Sequence, residues 1–228
     1  MNEPDILYED NHLIAVNKPA GVLSQGDRTN DKTLADDVKA YLKNKYNKPG
    51  DVFLGIIHRL DRPVSGLILF ARTSKALSRC TQLFRDRNIN KTYLALVENH
   101  PDKPIDELVH FLVKNNKNNT TSASTHQSTN SKKSILQYEH IGSYKNTQLL
   151  RLRPLTGRSH QIRVQLAFIG CPIINDMKYG FPKSDNKHSI YLHSASLEFE
   201  HPVKKEKLIL KCPMPKDRLW GNVSSLYA

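Results

Sequence analysis

At 228 residues and 38% hydrophobic composition, the chain has room for one large or two small domains with a substantial core. Thirty-four Lys and Arg stand against 22 Asp and Glu, a net charge of +12 with a pI near 9.6, which points to a polyanionic partner and to nucleic acid first. No apolar stretch reaches membrane-spanning length and no basic amphipathic helix is present, so a membrane partner is disfavoured.

The first residues, MNEPDILYED, lack the basic and apolar regions of a signal peptide. Ile6 to Tyr8 and Leu13 to Val16 flank Glu9-Asp10-Asn11-His12 and read as strand, turn, strand. Lys18-Pro19-Ala20-Gly21 stops the second strand, and Lys18 is expected to be a solvated loop lysine. Leu34, Val38, Tyr41 and Leu42 recur at helical spacing, with Asp31 or Thr33 as the cap and Asp36 and Asp37 in the first turn. Tyr41 and Tyr46 are expected to pack in the core.

Residues 57 to 71 change character midway. Ile57-His58-Arg59-Leu60-Asp61-Arg62 is charged; Gly66 to Ala71 is short and apolar and follows a Pro-Val-Ser-Gly breaker, so it reads as a strand buried on both faces. Asp61 thus sits between Arg59 and Arg62 in a loop that feeds a core strand. Such a carboxylate is either a surface ion-pair residue or a candidate for chemistry, and these residues alone leave both open.

Residues 74 to 87 carry a helical stripe of Ala76, Leu77, Cys80, Leu83 and Phe84, with Arg79, Arg85 and Arg87 off it. Lys91 to Glu98 reads as a strand, with Tyr93, Ala95 and Val97 on one face. Residues 114 to 134 are polar except for Ala123 and read as a mobile loop or hairpin tip, with Asn115 to Ser131 dispensable for chemistry. Ile135 to Tyr144 and Gln148 to Leu155 form a second hairpin. Residues 159 to 169 form a helix ended by Gly170 and Pro172. Ile190 to Phe199 and Lys207 to Lys211 close the chain as a hairpin, with Trp220 docking the tail. Cys80, Cys171 and Cys212 are scattered and include no Cys-x-x-Cys; they read as buried free thiols of a cytoplasmic protein, with no metal site implied. Many hairpin-joined strands with few helices point to an α+β class with a largely antiparallel sheet.

Three segments together carry a family likeness. His58-Arg59-Leu60-Asp61, two residues, then Val64-Ser65-Gly66 and an apolar run resembles the active-site motif of the RluA-type RNA pseudouridine synthases. Lys91-Thr92-Tyr93-Leu94-Ala95-Leu96-Val97 resembles their tyrosine motif, and Thr156-Gly157-Arg158-Ser159-His160-Gln161-Ile162-Arg163-Val164 their arginine motif. The order is the family's, and the likeness runs from about Ile6 to about Pro213. It implies the pseudouridine synthase fold, a mixed and largely antiparallel sheet with flanking helices and a central active-site cleft, in a single catalytic domain over 1–228. The sheet begins by Ile6, so the chain resembles the short members, without the RNA-binding module that longer ones carry in front.

The implied activity is the isomerisation of a uridine to pseudouridine in structured RNA, ribosomal or transfer, after the base is flipped out. The implied catalytic residues are Asp61, as nucleophile or base, Tyr93 under the flipped uracil, and Arg163 as the cation that keeps Asp61 ionised. Arg59, Arg62, Arg158, His160 and Gln161 are the implied RNA contacts. Arg59 meets the backbone or fills the space the base leaves, while His160 and Gln161 orient Arg163 or touch the backbone. His58 is expected to be a structural hydrogen-bonding residue. An isomerisation gains and loses no atoms and requires no cofactor, and no GxGxxG, P-loop or HExxH appears. The expected partner is RNA alone, with a monomeric protein. The alternative is a basic RNA-binding or RNA-folding protein of the same fold without catalysis; the trio Asp61, Tyr93 and Arg163 is what separates the two. Departures are mild: Val64 and Ser159 stand where threonine is common, Gln165 where histidine is common, and Asn175-Asp176 in place of glycine-aspartate.

Overall fold

The structure is a computed structural model that describes residues 3–26, 30–182 and 188–227. The chain divides into two compact units, one of Met1–Asn90 with Ser194–Pro213, the other of Lys91–His193 with Met214–Ala228.

The first unit is built on two-residue alternation in its central strands. Strands β1 (Asp5–Glu9), β2 (Leu13–Lys18), β3 (Gly55–Ile56) and β4 (Ser65–Ala71) belong to it, with helices α1 (Leu34–Lys45) and α2 (Ser74–Arg85). β2 pairs antiparallel with β1 and β4. Ile14, Val16, Ile68 and Phe70 face one side and pack with Leu34, Val38 and Leu42 of α1. Leu13, Ala15, Leu67, Leu69 and Ala71 face the other and pack with Ala76 and Cys80 of α2. Every residue of β4 is buried, as a strand covered on both faces must be. Thr33 makes the α1 cap: its hydroxyl oxygen accepts from the Asp36 N–H, and the Asp36 carboxylate accepts from the Thr33 N–H.

The second unit follows the order β5–β9–β8–β6–β7. Its strands are β5 (Ile89–Val97), β6 (Ile105–Asn115), β7 (Thr120–Ser124), β8 (Lys132–Tyr144) and β9 (Thr147–Pro154), all paired antiparallel. Helix α3 (Gln161–Phe168) is buried from Gln161 through Leu166. The closing hairpin of the chain is β10 (Leu192–Glu200) and β11 (Lys207–Lys211), with β10 beside β4 in the first unit. Gly66 has φ +114°, and a Cβ there would lie 2.4 Å from the Ser194 carbonyl oxygen, so only glycine permits that approach of β4 to β10. Helix α4 (Arg218–Val223) starts on an Asp217 cap and buries Trp220 against Tyr191 and His193, which docks the tail as expected.

Three readings of the sequence are corrected or resolved. Lys18 is not solvated but fully buried, because the end of β2 lies under the loop before β4. Tyr46 is 44% exposed instead of core-packed; its hydroxyl donates to Glu9 and the Arg72 guanidinium lies over its ring, so a surface charge cluster holds it. The polar stretch 114 to 134 resolves as a hairpin tip: β7 pairs with β6 from Phe111↔Ser124 to Asn115↔Thr120. Polar side chains suit an edge strand, whose stability comes from backbone pairing with no core to fill. All three cysteines are buried free thiols, and burial pushes Cys80 and Cys212 up to about 12.

Candidate active site

The first unit holds the Asp61 turn. The turn closes on itself through the Val64 N–H to the Asp61 carbonyl at 3.0 Å. Irregular backbone cannot satisfy its own polar groups, so other parts of the unit do. The buried Ser24 hydroxyl donates to the Leu60 carbonyl at 2.9 Å and accepts from the Leu60 N–H at 3.1 Å. The Gly21 N–H donates to the Arg62 carbonyl at 2.8 Å. The Lys18 amine donates to the carbonyls of Pro19, Val22 and Arg62 at 3.0, 2.7 and 3.1 Å. Burial pushes that amine down to about 7, against the upward pull of the nearby Asp61 carboxylate. Three acceptors match the three protons of an ammonium, so the pocket that costs Lys18 its hydration also suits its charged form.

Around this turn, Asp61 is half-buried and Arg59 is exposed. Arg62 folds back: its Nε donates to the Gly21 carbonyl at 2.9 Å, and its guanidinium pairs with Asp31 at 2.9 Å. His58 is the structural residue the sequence indicated. Its Nε2 accepts from the Leu69 N–H at 3.0 Å, and its ring stacks on Phe84. Asp61 is therefore carried on a loop pinned at Leu60, Arg62 and Val64 and continuous with β4.

The second unit holds the tyrosine and arginine motifs. Tyr93 lies on β5 opposite Leu152 and is half-buried. The arginine motif sits where β9 turns into α3. Gln161 is 4% exposed and ties this corner: its Oε1 accepts from the Thr156 hydroxyl at 2.8 Å and the Arg158 N–H at 3.0 Å, and its Nε2 donates to the Ile135 carbonyl at 3.0 Å. Arg158 is exposed at the same corner. His160 has φ 54°, which ends the approach segment and makes Gln161 the first residue of α3, two residues later than the periodicity indicates.

Arg163 is 5% exposed and makes a bidentate pair with Asp176, Nε to Oδ2 at 2.7 Å and the second guanidinium nitrogen to Oδ1 at 2.8 Å. Its guanidinium also lies over the Tyr179 ring, 5.0 Å from the centroid. Asp176 and Tyr179 were not singled out from the sequence. The signal was the Asn175-Asp176 pair that stands for glycine-aspartate: Asn175 has φ 70°, a left-handed conformation that glycine adopts freely and asparagine tolerates. Among the described residues no group of three or more His, Cys, Asp or Glu is arranged to hold a metal ion, and no helix is long and apolar enough to cross a membrane.

The comparisons with known proteins agree with these motifs. Residues 12–168 match the family model for RNA pseudouridylate synthase. The ribosomal large subunit pseudouridine synthase D of Zymomonas mobilis is 32% identical over 232 aligned positions, covering 95% of this chain and 72% of that protein. The ribosomal large subunit pseudouridine synthase C of Vibrio cholerae is 31% identical, covering 92% of this chain; the chain spans only 65% of that relative's length. In fold, the human RNA pseudouridylate synthase domain containing 4 superposes with a TM-score of 0.80 at 24% identity, covering 98% of this chain and 93% of that one. A matched model over more than half the chain, a relative above 30% identity and the shared fold leave one conclusion, that the chain belongs to the RNA pseudouridylate synthase family, of the RluA type.

Proposed function

We propose that this protein is an isomerase that converts a uridine of ribosomal RNA to pseudouridine, with Asp61 as its catalytic carboxylate. The observation that carries this reading is the Asp61 turn. A half-buried carboxylate is held on backbone pinned by Ser24, Gly21 and the buried Lys18 amine, far more tethering than a surface ion-pair residue requires. The curated relatives are named as ribosomal large subunit enzymes, which favours ribosomal over transfer RNA.

In the reaction the bond from uracil N1 to the anomeric carbon breaks, the base turns, and C5 bonds to that carbon; the C5 proton leaves to solvent and N1 takes up a proton, so composition is unchanged. An ionised Asp61 assists as nucleophile at the anomeric carbon or as base on the sugar. Tyr93 supplies the face under the extruded uracil, recovering about 1–3 kcal/mol of the unstacking cost. Arg163 supplies the cation for the carboxylate. Arg59, Arg62, Arg158 and His160 meet the RNA backbone. The chain acts as one catalytic domain and as a cytoplasmic monomer. The net charge of +12 serves the polyanion.

The test is tritium release from large-subunit ribosomal RNA transcribed with C5-tritiated uridine, under single-turnover conditions. Asp61→Asn keeps the shape of the side chain but is a poor nucleophile and base, so it should abolish release while RNA binding persists. Release near the wild-type rate from that variant would end the proposal.

A further inference from the structure

The β6–β7 hairpin, polar throughout its tip, reaches the arginine motif. Thr121 is only 6% exposed, although the residues on either side of it are a threonine and a serine. Its backbone N–H donates to the Tyr179 phenol oxygen at 2.9 Å, and its hydroxyl donates to the Ser159 carbonyl at 3.1 Å. One residue of an edge strand thus clamps the segment before α3 and the turn after it. From the other side the Lys178 amine donates to the Asn119 carbonyl at 3.2 Å.

The phenol passes this on. The Tyr179 phenol oxygen, having accepted from the Thr121 N–H, also shares a hydrogen bond with the His160 Nδ1, 2.6 Å away. The face of the same ring carries the Arg163 guanidinium. The Tyr179 N–H donates to the carbonyl of Asp176, whose carboxylate grips Arg163. The orientation of Arg163 is therefore set by Asp176 along the guanidinium edge and by Tyr179 beneath its plane. Tyr179 in turn is fixed by a hydrogen bond from β7.

We propose that Thr121 and Tyr179 are positioning residues for Arg163, and that the hairpin around 115–124 is a brace for the catalytic arginine instead of a dispensable insert. This rests on the reading of Arg163 as a catalytic group. Thr121→Val keeps the side-chain volume and removes the bond to Ser159; Tyr179→Phe keeps the ring and removes the phenol; Thr121→Ser restores the hydroxyl. In the full chain, Thr121→Val and Tyr179→Phe should slow single-turnover tritium release at saturating RNA by about 10–100-fold, the scale of a catalytic group displaced by around 1 Å. RNA affinity of Thr121→Val should stay within about 3-fold, since no phosphate contact is removed. Thr121→Ser should recover the wild-type rate.

A second readout needs no catalysis. Exchange of the Arg163 Nε proton, followed by nitrogen-15 NMR, should quicken about 10-fold in Thr121→Val. Wild-type rates in both variants, a loss confined to RNA affinity, or failure of Thr121→Ser to rescue would overturn the brace. If Tyr179→Phe does not fold, Thr121→Val decides through the Ser159 carbonyl, which holds the segment leading into α3. If the wild-type protein releases no tritium, the functional reading falls; the proton exchange still decides the brace, and unchanged exchange in Thr121→Val refutes it.

Discussion

Removing Asp176 should cost far more than removing a surface acid. Its side chain is 1% exposed and that of its partner Arg163 is 6% exposed, and the two meet through a pair of hydrogen bonds at 2.7 and 2.8 Å. Asp176→Ala leaves a buried guanidinium short of its carboxylate, a change that costs about 3–5 kcal/mol. Arg163→Met, which keeps the aliphatic stem and strands the acid, should cost a similar amount. The double variant Asp176→Ala with Arg163→Met buries no charge at either position. It should therefore be more stable than the sum of the singles predicts, by about 2 kcal/mol or more. Urea unfolding at pH 7.5 measures all four corners of the cycle. In the folded Asp176→Asn protein the guanidinium keeps its ring contact with Tyr179 but loses its bidentate anchor. Single-turnover tritium release should fall about 10²-fold, the penalty of roughly 1 Å of drift. An Asp176→Ala cost below about 1 kcal/mol, as for an exposed pair, would refute the reasoning, and so would a strictly additive cycle.

Gly66→Ala should destabilise the first unit by more than about 2 kcal/mol in urea unfolding, because its φ of +114° and the 2.4 Å approach to the Ser194 oxygen add strain to clash; a cost under about 0.5 kcal/mol would contradict the close approach of β4 to β10. Burial alone would raise the Asp10 carboxyl, but the His12 and Leu13 N–H groups, the Tyr8 hydroxyl and Lys204 outweigh it and hold the group at about 2 against an ordinary 3.8. A folded pKa below the unfolded one stabilises fully above pH 3.8 and stops doing so as pH falls through about 2, so unfolding midpoints should show about 2 kcal/mol of stability lost over that window in wild type and a flatter acid limb in Asp10→Asn. RNA affinity should drop about 10³-fold or more between 50 and 200 mM salt if six or more phosphates are neutralised, and a salt-independent filter-binding constant would argue against a basic RNA interface.

Much of the scaffold was legible because alternation and capping are local. The two faces of β2 and β4 can be written down from the apolar letters, and the Thr33 cap lies within four residues of the groups it satisfies. The motif residues were legible from their order along the chain. What was hidden depended on separation in sequence. Lys18 reads as solvated because lysine after a strand and before proline is normally so; one of the three carbonyls that bury it belongs to Arg62, 44 residues on. Tyr46 was assigned to the core by its ring, yet its hydroxyl finds Glu9 across 37 residues. Asp176 is 13 residues from Arg163, beyond the reach of helical spacing, and only the left-handed turn at Asn175 brings it back. Thr121 lies in a stretch whose composition argued against any buried contact.

The hidden residues share a physical role. Strands satisfy their own backbone and position side chains by register, but Asp61 and the approach to Arg163 lie on turns, where register gives no guidance. There, side chains buried at an energetic cost take over the work of the ladder: Lys18 and Ser24 for the Asp61 turn, and Gln161, Asp176 and Tyr179 for the arginine corner. Each ammonium, amide or carboxylate so placed adds little net stability, because desolvation offsets much of its hydrogen bonding. Its bonds are directional, however, and a lost partner leaves an unsatisfied group, so alternative loop conformations are penalised steeply. Replacing both partners of such a contact by apolar residues preserves stability far better than replacing one, while still releasing the turn. Positional precision at Asp61 and Arg163 is thus decided by polar contacts that a stability measurement alone would undervalue.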